Sequence, residues 1–122
     1  MISEQIHIKV RNAVELLIKT GAQFDGLIPS ILERHTGEML QEIPDPIPGQ
    51  RQHDRSPRGS NLMHDVDLLA LMYDLSEYSS DARYALAADR YLSRFANHCT
   101  DTPSGLFPWG EHAYWNFYEE KN

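Results

Sequence analysis

A single cysteine, Cys99, stands in 122 residues, which excludes an internal disulfide and a cysteine-built zinc cluster and leaves the redox compartment open. No run in the sequence approaches the roughly 18 consecutive apolar residues of a membrane-spanning helix. Basic side chains are few: 11 Lys and Arg stand against 18 Asp and Glu, a net charge of −7. That balance argues against nucleic acid, whose phosphates need a basic face, and against an anionic membrane surface. A polyanionic substrate stays open, because a local basic patch can sit on an acidic protein. The opening segment, MISEQIHIKVRN, carries charges where a signal peptide needs its apolar run. As written, the chain reads as cytoplasmic, or as secreted with its leader removed.

What is present is an ordinary globular composition, 41% hydrophobic and 24% charged, in a length that fits one domain spanning residues 1–122. Helical spacing predicts a first helix over about 3–19, with Ser3 as N-cap and Gly21 just past its end. Its apolar positions are Ile6, Val10, Ala13, Val14, Leu17 and Ile18. A second helix is expected from about 61 to 78, capped by Ser60 or Asn61, with Leu62, Val66, Leu69, Met72 and Leu75 as its buried stripe. A third runs from about 81 to 97, with Tyr84, Ala85, Ala88, Tyr91, Leu92 and Phe95 on one side. Only Ser79 and Ser80 separate the last two, so they should form an antiparallel αα-hairpin.

The segment between the first two helices does not read as helix. Leu27–Glu33 and Glu38–Ile43 flank a His-Thr-Gly turn and read as a short β-hairpin, with Pro29 demoting the first strand. Pro44, Pro46 and Pro48 then force an extended path. The run GQRQHDRSPRGS follows, where Arg51, Arg55 and Arg58 are suited to clamp a carboxylate or sulfate, or simply to solvate a loop.

The stretch SGLFPWGEHAYWNFY, residues 104–118, is the richest in chemistry. It carries six aromatic side chains beside the adjacent Glu111 and His112. Aromatic faces cover the apolar faces of sugar rings, and polar groups bond hydroxyls or move protons, so the composition suits a carbohydrate cleft. The competing reading is an aromatic plug over the helical core.

The order of helix, short turn, SSDARYALAADRYLSRF and aromatic loop resembles one repeat of the α/α-toroid carbohydrate-active enzymes, the six-hairpin glycoside hydrolases and polysaccharide lyases among them. The DARYALAADRYL run, residues 81–92, is similar to hairpin starts in that superfamily, and the likeness covers about half the chain. It implies a mainly α fold with helical hairpins of incomplete toroid type, plus the small β-hairpin in the long loop after the first helix. A complete toroid needs many more helices than three, so the sequence resembles its opening portion. Apolar faces that would meet the next hairpins then favour self-association or a completing partner chain.

Two groups of residues are suited to chemistry. Asn61, His64 and Asp65 stand at the start of the second helix, where free backbone N–H groups and the positive dipole end can hold a carboxylate, or where Asn61 simply caps. Glu111, His112, Tyr114, Trp109 and Trp115 form the other group. A lyase acting on a uronic acid polymer needs its substrate carboxylate neutralised, a base for the C5 proton and an acid for the leaving oxygen. Asn61 with Arg51 and Arg55 suits the first, His64 or His112 the second, and Tyr114 the third. Toroid lyases use that set of residue types. A hydrolase instead needs two carboxylates about 5 or about 6.5–9.5 Å apart, and Glu111 with Asp65 or Asp67 is the candidate pair. A metal would need ligands from separate segments, since no H-E-x-x-H spacing occurs, so none is expected and no cofactor either. The remaining alternative is a non-enzymatic helical interaction module. The expected partner is an oligosaccharide or polysaccharide.

Overall fold

Helix α1, Glu4–Gly21, begins where Ser3 turns extended and its Oγ accepts from the Ile6 N–H at 3.4 Å. In the computed structural model, residues 3–50, 56–100, 103–104 and 114–119 are described. Glu4 in the first turn and Lys19 in the last complement the helix dipole. From Val10 onward α1 reaches the core. Val14 is buried, Val10, Leu17 and Ile18 pack against it, and Ile6 and Ala13, expected on the same face, are exposed. Gly21 is the last helical residue rather than the residue beyond it. A side chain there would meet the Leu27 carbonyl and Ile28, so the glycine admits a close crossing of backbone. The left-handed residue that ends this region is Asp25, after one 3-10 turn at Ala22–Phe24.

The expected β-hairpin is small: a single antiparallel bridge pairs Leu32 with Met39, flanked by Glu33 N–H to Glu38 O and Leu40 N–H to Ile31 O. Its turn is held by Glu33, whose carboxylate accepts from the Thr36 and His35 N–H groups at 2.6 and 2.7 Å. Those bonds keep the Glu33 carboxyl below its ordinary range. Leu27, Ile28 and Pro29, expected to extend the strand, are buried instead. Thr20 ties the turn to α1 by donating to the Gly37 carbonyl at 2.9 Å.

Helices α2, Leu62–Ser79, and α3, Arg83–His98, form the expected antiparallel pair. Ser80 in the left-handed region ends α2. Ala82 cannot cap α3, and Ser76 of α2 does it from the neighbouring helix. Its Oγ accepts from the Ala85 N–H and donates to the Asp81 carbonyl, each at 2.7 Å. Met72, Leu75, Tyr84, Ala88, Tyr91 and Phe95 meet Val14, Leu27 and Ile28 in one core. Ala88 keeps the approach close. Val66 and Leu92, expected in the buried stripes, lie at the surface, Val66 at 53% exposure.

A pairing that sequence patterns do not announce joins the chain's distant parts. Strand β1, Gly59–Ser60, runs antiparallel to β2, Trp115–Asn116, with Gly59 opposite Asn116 and Ser60 opposite Trp115. The other edge of β1 is taken too, since Ser30 N–H donates to the Gly59 carbonyl at 2.9 Å. Gly59 is required at this crossing: a Cβ there would run into the Trp115 carbonyl and the Tyr114 ring.

Candidate functional site

The start of α2 concentrates the polar chemistry. Asn61 is 1% exposed and caps the helix, its Oδ1 accepting from the Met63 N–H at 3.0 Å, while its own carbonyl accepts from His64 and Asp65. The capping expected of Asn61 is thus present, on a buried side chain. Successive residues on a helix point about 100° apart. His64 therefore faces outward and Asp65 inward.

Asp65 is 8% exposed. Its Oδ2 accepts from Tyr91 Oη at 2.6 Å and from Ser60 Oγ at 3.3 Å, and those two hydroxyls lie 2.9 Å apart. Burial pushes the Asp65 carboxyl up to about 6, against the pull of Tyr91, Ser60 and the nearby His64. Burial and the same carboxylate push the Tyr91 hydroxyl upward. Three residues from β1, α2 and α3 thus close a polar cluster inside the core, next to His64 in the chain but facing away from solvent. Asp65, weighed above as half of a carboxylate pair, commits its Oδ2 to both hydroxyls.

His64 lines a surface groove of about 420 Å³. One wall is apolar, from Ile31, Leu40, Ile43, Pro44 and Ile47, and Asp45 and Gln50 add polar groups. Ser30 and Ser56 line the same groove, and their hydroxyl oxygens are buried with no hydrogen-bond partner among the described residues. A buried hydroxyl left unpaired costs free energy, so each of these two oxygens is an unmet hydrogen-bonding group beside the groove. Ser30 is fixed by its backbone bond to Gly59, and Ser56 precedes the β1 entry.

Tyr114 stands one residue before β2 and is half-buried over Gly59. Trp115 is 5% exposed and packs in the core cluster, so its ring fills the interior as the plug reading had it and faces no cleft. The reason is register: pairing Trp115 with Ser60 turns its side chain to the core. Arg58 lies over the Tyr118 ring at 5.1 Å, and Tyr118 Oη donates to Gln41 at 3.0 Å. Arg51, Arg55, Trp109, Glu111 and His112 lie outside the described residues. Among the described residues, no three His, Cys, Asp or Glu side chains converge as metal ligands.

The residues that sequence patterns missed are the serines and Tyr91. Tyr91 gave a signal, a hydroxyl on an otherwise apolar helix face that must find a partner once buried. The serines gave none.

Among the described residues no helix is long and apolar enough to cross a membrane. No curated protein matches the chain, and no solved structure does. The family model described as periplasmic pectate lyase matches residues 41–122, the last two-thirds of the sequence, and so takes in Asn61, His64, Asp65, Tyr91 and Tyr114. The chain therefore belongs to the periplasmic pectate lyase family, whose role is carbohydrate-active and of polysaccharide-lyase type.

Proposed function

We propose that the groove beside His64 takes a uronic acid polymer and serves its cleavage by β-elimination. The observation that carries this reading is the outward imidazole of His64 on the same groove as two unpartnered serine hydroxyls. In the elimination, a base removes the proton on C5, next to the substrate carboxylate. The electron pair closes a C4–C5 double bond, the C4–O4 bond breaks and a proton goes to O4. His64 is the base in this scheme, and Ser30 and Ser56 orient the sugar by its hydroxyls. Tyr114 is the donor to O4, Arg51 and Arg55 neutralise the carboxylate, and His112, Glu111 and Trp109 are further candidates for base, acid and sugar stacking. The inward commitment of Asp65 supports a lyase over a hydrolase, which would need that carboxylate at the substrate.

The family description is periplasmic, which supports the secreted location over the cytoplasmic one. We read α2 and α3 as one helical pair of a toroid.

The test is incubation with pectate, following the ultraviolet absorbance of the C4–C5 unsaturated product, beside calorimetric binding of a uronate oligosaccharide. His64→Ala should lower product formation by about 10²–10⁴-fold. Because His64 is exposed, stability should change by no more than about 0.5 kcal/mol. A wild-type chain that neither binds the oligosaccharide nor forms unsaturated product overturns the reading.

A further inference from the structure

A second pocket, of about 360 Å³, opens on the outer face of α3 and is lined by Asp25, Arg90, Ser93, Arg94, Asn97 and His98. Arg90, Arg94 and His98 follow one another at intervals of four residues, so they stand in a row on one helix face. The arginines are prepared for a ligand. Gly26 leaves room for the Arg90 stem: a Cβ on that glycine would stand 2.8 Å from Arg90 Cγ and 3.0 Å from Cδ. The stem therefore rests on backbone, which limits the freedom the guanidinium would lose on binding. Arg94 is 25% exposed in its side chain and meets Asp25 only at a long 3.6 Å, and its Nε is buried with no acceptor among the described residues. Asp89, adjacent to Arg90 in sequence, is engaged elsewhere by the Tyr73 hydroxyl at 2.6 Å.

We propose that Arg90 and Arg94 form a carboxylate-binding site for the uronate chain, separate from the His64 groove and holding the polymer rather than cutting it. The inference rests on the reading that the substrate is a uronate polymer. On a protein of net charge −7, a polyanion is repelled over most of the surface. Here two guanidinium groups line the pocket against one carboxylate, Asp25, and the guanidinium fork is the geometry that carboxylates accept.

The experiment is a titration of the protein with trigalacturonate, with its neutral methyl ester and with inorganic sulfate, observed through the side-chain N–H resonances of arginine and the imidazole resonances of histidine. Trigalacturonate should shift Arg90 and Arg94, and the methyl ester should not. Arg90→Ala with Arg94→Ala should weaken binding about tenfold, and Arg94→Lys, which keeps the charge and loses the fork, should recover only part. Helix content measured on each variant confirms its fold. Shifts at His64 with silence at Arg90 and Arg94 overturn this inference and leave the lyase reading standing. Shifts at α3 with silence at His64 support it and count against that reading. Sulfate binding as tight as trigalacturonate overturns it by reducing the row to a general anion patch.

Discussion

Tyr91 on α3 donates its hydroxyl proton to the Asp65 carboxylate on α2 at 2.6 Å, between two buried side chains. The bond lies on the face of α2 that Leu69, Met72 and Leu75 also bury, and His64 stands off that face. The cluster that Ser60 completes is thus the support on which the candidate site stands.

The Asp65 carboxyl should give this protein a stability component that fades on alkalinisation. Its folded value is about 6, raised from an ordinary 3.8 by burial. Between those values the folded state keeps a proton that the unfolded state has lost, so the contribution is complete below 3.8 and is lost as pH rises through about 6. The size is on the order of 3 kcal/mol. Glu33 and Asp81 are shifted downward and work in the opposite sense, so the quantity to follow is a difference. Denaturant titrations of wild type and Asp65→Asn should show the wild-type advantage shrinking from about pH 4 to about pH 7. A pH-independent difference would contradict the buried, protonated carboxyl.

Trp115→Ala should cost about 3–5 kcal/mol, the loss expected for a fully packed aromatic ring. Trp115 lies in the core beside β1, so its removal should also loosen the hold of β2 on the start of α2. Thermal melting measures the cost. A variant as stable as wild type would return Trp115 to the role of an exposed sugar platform.

Ser30→Ala with Ser56→Ala separates a binding role from a structural one. Both hydroxyls are buried without partners among the described residues, so deleting them should leave stability unchanged or raise it by about 1 kcal/mol. Affinity for a uronate oligosaccharide should fall by about tenfold, the worth of one to two hydrogen bonds. A marked loss of stability with unaltered binding would assign the serines to the fold alone.

The helical pair leaves Val66, Leu71 and Leu86 on its outer faces, and Ile6 and Tyr78 beside them at one end. Apolar side chains in that number favour association with a second copy or with further helical hairpins. Light scattering over a concentration series should report masses above the 14.0 kDa of one chain. A constant monomer mass at high concentration would refute the expectation.

The three helices and the αα-hairpin were legible because helical periodicity, Ser3, Asn61 and the two-serine break are local signals, carried by neighbours in the chain. The arrangement at the start of α2 was legible for the same reason, as a cap followed by His64 and Asp65. Which of those two faces solvent was decided by how α2 packs, with Tyr91, 26 residues beyond Asp65, taking the inward carboxyl. The aromatic segment shows the limit most clearly. Composition alone allowed site or plug, and Trp115 became core only because β2 pairs with β1 in a register that turns its ring inward. The groove with Ser30 and Ser56 belongs to the same class, since their pairing or lack of it depends on what the folded chain brings within 3.5 Å, and no residue pattern encodes that. Sequence alone determined the helices, the charge balance and the residue types available for chemistry. Tertiary structure decided orientation, burial and partnership, because those are set by contacts between segments that are far apart in the chain.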